Sequence, residues 1–136
     1  MMGLPKFPYQ IVYGVARPLP ICELTLLGPR CGAALRALVD TGATYSVFPV
    51  KAAEDAGIML RRGVRMPLQY GGSLESGVLL RAHVRLGGQR YRAEVVFVER
   101  LAFPFALLGR AGIFSQFDEV AFLEKLAVPR VEFRGR

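Results

Sequence analysis

One segment combines residue types that could do chemistry: Ala37-Leu38-Val39-Asp40-Thr41-Gly42-Ala43. An apolar, strand-like run delivers an aspartate at its end, and a small, turn-capable triplet follows at once. An Asp-Thr-Gly tripeptide alone arises by chance in roughly a few per cent of chains this long, so its context carries the weight. A carboxylate placed directly after a buried strand must be desolvated or paired, and both are conditions that make a working acid or base. The bland alternative is a turn-forming aspartate at a strand end. Other chemistries have less to draw on. Two cysteines, Cys22 and Cys31, and a single histidine, His83, cannot furnish the four clustered ligands of a structural zinc site. The cysteines are expected on adjacent strands as small apolar residues in a reducing compartment. His83 falls on the polar face of its strand and receives no catalytic role.

The elements that must position Asp40 are mostly strands. Residues 1–20 hold four of the nine prolines and read as an extended arm. A strand is expected from Ile21 to Leu27, then a Gly28-Pro29 turn and a second strand from about Ala33 to Val39. In the second, Ala33, Leu35, Ala37 and Val39 share one face. After Ser46 the period changes. Pro49 suits a helix start, Val50, Ala53 and Ala56 recur at helical spacing, and Gly57 can close the end.

The strongest local pattern runs from Val78 to Val98 around a Gly87-Gly88 pair, the composition of a two-residue hairpin turn. Folding there sets Val84 opposite Tyr91, Ala82 opposite Ala93, Leu80 opposite Val95 and Val78 opposite Phe97. On the other face Arg81 meets Glu94 and Arg85 meets Arg90. Upstream, residues 70–77 form a polar, glycine-rich stretch that reads as a flexible hairpin tip.

At 136 residues and 52% hydrophobic content the chain fits one domain with a real core and is not disordered. No apolar run is long enough for a transmembrane helix, and the N-terminus lacks the layout of a secretory signal, so a cytoplasmic location is expected. The net charge of +7 could attract an acidic partner. The arginines are scattered, however, and no basic run alternates with aromatics, which argues against nucleic acid.

The segment Ala37–Ala43, continuing through Ser46 and Val47, resembles the active-site segment of the retropepsin-like aspartic proteases. A second motif about 70 residues later, Ala106-Leu107-Leu108-Gly109-Arg110 followed by Ile113, Phe114 and Phe117, resembles the family's apolar pair and glycine beside the catalytic loop. A short helix follows in the family. The glycine-rich tip, with Tyr70, Gly71 and Gly72, lies where the family places its substrate-covering flap. The resemblance spans roughly residues 21–122.

That resemblance implies a catalytic Asp40. Two carboxylates at hydrogen-bonding range cannot both ionise, so one serves as base while the other donates a proton. This chain has one Asp-Thr-Gly, so a complete site requires a second copy across a two-fold axis. The resemblance implies that Thr41 bonds across that axis and that Gly42 leaves room for substrate backbone. Ala43 stands where pepsin-like relatives carry serine. Losing that donor should leave the dyad harder to ionise and move the optimum toward mildly acid or near-neutral pH. Arg110 corresponds to an arginine that, in retroviral proteases, pairs with an aspartate four residues after the catalytic one. Here that position is Thr44, leaving Asp118, Glu119 or the partner subunit to serve, in a buried or interfacial structural role.

The expected architecture is a mostly β, retropepsin-like closed barrel with one or two short helices. Residues 1–20 form the arm, 21–123 the protease domain, and 124–136 a basic C-terminal segment that is a candidate dimer-interface strand. The expected function is an aspartic endopeptidase working as a homodimer on polypeptide, with no metal, cofactor or membrane. Two alternatives stand beside it: a non-catalytic dimeric peptide-binding module, and a basic protein that binds nucleic acid.

Overall fold

The computed structural model describes residues 4–135, with the side chain of Tyr70 outside the described residues. Ten strands and one α-helix follow in order: β1 (Lys6–Pro8), β2 (Ile21–Leu27), β3 (Gly32–Val39), β4 (Ser46–Pro49), α1 (Val50–Ala56), β5 (Val64–Tyr70), β6 (Ser73–Leu86), β7 (Gln89–Val98), β8 (Ala106–Leu108), β9 (Glu119–Leu123) and β10 (Arg130–Arg134). The larger sheet runs β2-β3-β8-β4-β7-β6-β5, and β2 also pairs with β6. That extra pairing closes six strands into a barrel and leaves β5 paired outside it along β6.

The β6–β7 hairpin has the register its turn dictates. Val78 faces Phe97, Leu80 Val95, Ala82 Ala93 and Val84 Tyr91, with Arg81 opposite Glu94 and Arg85 opposite Arg90. Gly87 and Gly88 both take positive φ, +59° and +86°, which a two-residue hairpin turn demands. α1 begins after Pro49 at its N-cap and ends at Gly57, whose φ of 79° is left-handed. Pro49 thus stands one position before the first turn. The short helix expected after Arg110 is a single 3-10 turn, Phe114–Gln116.

The strands around Asp40 are buried on both faces. Ala37, Val39, Phe48, Val95, Phe97, Ala106 and Leu108 belong to the main core inside the barrel. Their alternating neighbours Leu38, Val47, Val96, Val98 and Leu107 pack into a second apolar cluster with Val12, Ile21 and Phe105. Continuous apolar runs, rather than alternating ones, are what double-sided burial requires. The strand ends that carry the site therefore have little freedom to shift.

Both terminal segments join the body. β1 and β9 flank β10 in an antiparallel three-stranded sheet, and Val131 and Phe133 are buried in the main core. Both edges of β10 are thus occupied within the chain, so the C-terminal segment offers no free edge of β10 to a partner. Glu132 is buried on the sheet's other face between Arg130 and Arg134, and bonds to both hold its carboxyl below the usual range.

The cysteines differ from expectation. Cys22 is buried on β2, whereas Cys31 is exposed before β3 begins and donates to the Asp55 carbonyl at 3.1 Å. The β2–β3 register pairs Cys22 with Ala37 and ends at Gly32, so Cys31 falls in the connecting turn. Burial pushes the Cys22 thiol up to about 12, leaving almost no thiolate at neutral pH. A native thiol titration should count one reactive group, and titration in denaturant two.

Candidate active site

The loop after β3 is laced to the chain after β8. Asp40 N–H donates to the Leu108 carbonyl at 3.0 Å, and Val39 N–H to Pro20 at 2.9 Å. Arg110 N–H reaches the Ala43 carbonyl at 3.0 Å, and Ala111 N–H reaches Thr44 at 2.7 Å. Parallel pairing of β3 with β8 sets Leu38 beside Leu107 and Val39 beside Leu108. Two segments about 70 residues apart in sequence thus become one backbone unit.

Within the loop, Gly42 N–H donates to Asp40 Oδ1 at 2.9 Å, and Ala43 N–H closes a turn onto the Asp40 carbonyl at 3.2 Å. The first bond ties the carboxyl group to its own loop and fixes its rotamer. Asp40 is half-buried while Thr41 and Gly42 are exposed. The carboxyl is therefore held by its own loop yet open to an approaching group.

Gly109 is where these two segments cross. A Cβ there would lie 2.4 Å from the Tyr45 carbonyl oxygen and 2.8 Å from that of Ala43. Only glycine lets the two backbones approach so closely. Its N–H donates to Ser46 Oγ at 3.0 Å, and Ser46 is completely buried. That hydroxyl satisfies a buried donor that would otherwise be costly.

The carboxylate opens into a cleft of about 500 Å³, lined among others by Ala43, Tyr45, Leu68, Gly71, Phe103 and Leu107. The β5–β6 hairpin thus forms one wall. Its glycine tip is compact: Gly71 and Gly72 make the turn at φ +58° and +79°, while Ser73 already begins β6. Gly71 packs against Ala102 and Phe103, and a Cβ there would meet Ala102 Cβ at 2.5 Å. Phe103 stacks on Phe105, with centroids 5.5 Å apart and planes at 6°.

Asp40, Thr41, Gly42, Ala43 and Gly109 thus come together, and Gly71 faces them across the cleft. Gly72 forms the open tip, with nothing within 4 Å of a Cβ. The role expected for Tyr70 concerns a side chain outside the described residues. Arg110 is not buried within the chain: its side chain is exposed and makes no hydrogen bond or ion pair among the described residues, while its backbone anchors Ala43. Of the three expected partners, Asp118 and Glu119 do not meet it, which leaves the partner subunit. Glu119 pairs with Arg134, and Asp118 donates through its N–H to the Arg134 carbonyl. With Thr44 in place of an acid, nothing in the loop draws the guanidinium inward. His83 lies on the barrel's outer face, where burial, Arg90 and Arg92 favour its neutral form. What the sequence left unassigned is the role of Ser46, quoted only as part of the motif, and the cleft wall from β5 and Phe103. The Phe103-Pro104-Phe105 cluster after a strand was the available signal.

Among the described residues, no group of three or more His, Cys, Asp and Glu is arranged to hold a metal ion. No helix among the described residues is long and apolar enough to cross a membrane.

Residues 28–111, more than half of the chain, match a family model described as aspartyl protease. Among solved structures, a retropepsin-like aspartic protease from Rickettsia conorii superposes with a TM-score of 0.67 at 11% identity, covering 98% of this chain and 100% of that one. EIAV protease complexed with an inhibitor superposes with a TM-score of 0.51 at 16% identity, covering 74% of this chain and 88% of that one. No curated protein matches by sequence.

Proposed function

Since the chain belongs to the aspartyl protease family and carries its retropepsin-like fold, we propose that it is an endopeptidase whose active site forms between two copies. The observation that carries this reading is the Asp40 loop: locked from behind by residues 108–111, accessible in front, and beside a cleft sized for extended peptide. The loop supplies one carboxylate, and acid–base hydrolysis of an amide by this route needs two. A second copy of the same loop provides the other.

In the assembled site one Asp40 is ionised and takes a proton from water as that water attacks the scissile carbonyl. The other Asp40 is protonated and hydrogen-bonds to the carbonyl oxygen. The proton taken up then passes to the departing amine. Thr41, exposed beside the axis, holds the two loops in register through its hydroxyl. Gly42 admits substrate backbone, and the β5–β6 hairpin with Tyr70, Gly71 and Gly72 covers it. Phe103, Leu68 and Met66 favour apolar side chains next to the cut. Two free thiols fit the reducing cytoplasm.

The test is cleavage of an unstructured peptide library across enzyme concentration and pH. Specific activity should fall on dilution as the dimer dissociates, tracking the dimer fraction from sedimentation. The pH profile should be bell-shaped and peak between mildly acid and neutral values, because one carboxyl must stay protonated and Ala43 offers no hydroxyl to stabilise the charge. A concentration-independent activity, or a peak near pH 2, would refute the shared dyad. Peptide binding without cleavage would leave a binding module.

A further inference from the structure

Between β1 and β2 the chain makes a loop that the barrel does not need. Gln10 and Leu19 bridge it at the root through two reciprocal backbone bonds of 2.8 Å. A tight turn forms its tip, with Val15 N–H on the Val12 carbonyl at 3.0 Å and Gly14 at φ +85°. Val12 is buried in the second apolar cluster and pins the loop to the body. The side chains around it point the other way: Tyr13 is 100% exposed, Ile11 81% and Val15 38%. Isolated surface apolar residues are ordinary, but three spaced two apart on one projecting loop form a contact surface.

The loop's position says what covers it. Pro20, at its end, accepts the bond from Val39 N–H, so the loop springs from the backbone one residue from Asp40. That edge must face a second copy if two Asp40 are to meet. The residues nearest the axis, Thr41 and Gly42, are small, and a stable interface needs on the order of 800 Å² from each partner. They cannot supply that area. Next to the root, Arg36 holds the Gln10 side chain at 2.9 and 3.1 Å. Arg36 also lines a separate groove of about 610 Å³ with Glu23, Arg85, Leu35, Leu101 and Phe105. A projecting apolar loop and a recess of mixed apolar and charged lining thus adjoin at the Arg36–Gln10 contact, the pair of features a two-fold contact uses reciprocally.

We infer that the loop of residues 11–18 is a docking arm that seats Ile11 and Tyr13 on a second copy of this chain. The inference deepens the dimeric reading of the site and rests on it. Tyrosine is a favoured anchor because a rigid ring buries much area at low entropic cost.

The test uses the full-length chain in an Asp40→Asn background, so that self-cleavage plays no part. Sedimentation over a concentration series should show the Ile11→Ser/Tyr13→Ser double variant with a dimer dissociation constant raised about 30-fold or more. Its thermal midpoint at concentrations where both proteins are monomeric should be unchanged, since neither side chain touches its own chain's core. A photo-cross-linking amino acid at position 13 should give a covalent species of dimer mass. The inference is overturned if the parent is monomeric throughout, if the double variant dimerises as tightly as the parent, or if the cross-linker yields only monomer. The same substitutions in the wild-type background keep the two readings apart. Weakened dimers whose wild-type parent cleaves nothing would sink the protease and leave the arm. Full cleavage by an arm variant of undiminished dimerisation would sink the arm alone.

Discussion

Replacing Asp40 by Asn is expected to abolish peptide cleavage, by about 10³-fold or more, while the protein stays folded and dimeric. The amide is nearly isosteric and can still accept from Gly42 N–H, which now meets Asp40 Oδ1 at 2.9 Å. The backbone bonds from residues 108–111 do not involve the side chain, so the loop keeps its place. What is lost is the ionised member of the pair and with it the general base. Subunit mixing sharpens the test. If each site needs one carboxylate from each copy, wild-type chains mixed with an excess of the variant should lose activity in proportion to the fraction of wild-type homodimers, the square of the wild-type fraction. A linear fall would mean that each chain works alone. Unchanged activity in the pure variant would remove Asp40 from the mechanism.

A methyl group at position 109 should do nearly as much damage by a different route. In Gly109→Ala the new Cβ would lie 2.4 Å from the Tyr45 carbonyl oxygen and 2.8 Å from that of Ala43. Both atoms are backbone and neither can swing away as a flexible side chain could. One segment must retreat from the other, disturbing the bonds from Arg110 N–H to Ala43 and from Gly109 N–H to Ser46. Overpacking of this kind costs about 3 kcal/mol, which for a chain of this length lowers Tm by roughly 10 °C. Activity should fall by about 100-fold at temperatures where the variant is still folded, because a catalytic loop displaced by an ångström loses alignment. Thermal melts and single-temperature kinetics on the same preparation separate the two effects. Wild-type stability in the Ala variant would mean that the crossing at 109 is looser than the structure has it.

The N-terminal loop bears on both experiments. Pro20 fastens it to Val39, so its contacts and the placement of Asp40 share one backbone segment. A variant that weakens dimerisation should therefore be judged by its activity at saturating dimer, where any residual loss reports on the loop itself.

How much of this was legible in the sequence depended on how far apart the interacting residues lie along the chain. The β6–β7 register could be read residue by residue because Gly87-Gly88 fixes it locally, and an alternating pattern admits no one-residue slip without inverting both faces. α1, β2, β3 and the Asp40 turn were legible for the same reason: period, cap and turn residues act over a few positions. The Leu107-Leu108-Gly109 motif stood out as a pattern through its resemblance to a family, but the physical need for its glycine did not. That need comes from a backbone crossing with Tyr45, and the buried bond from Gly109 to Ser46 spans 63 positions. Nothing local distinguishes Ser46 from a surface serine. Arg110 shows the converse: Thr44 stands where an acid could have drawn it in, and its side chain is exposed with no ion pair among the described residues. Cys31 in a turn, the β1-β10-β9 sheet and the cleft wall built from β5 and Phe103 were likewise settled by packing. The sequence by itself determined which carboxylate could work and which strand delivers it, because those are short-range properties of the chain. Only the tertiary structure decided what holds that carboxylate in place and what faces it, because close approach between distant segments is set by how a whole barrel closes.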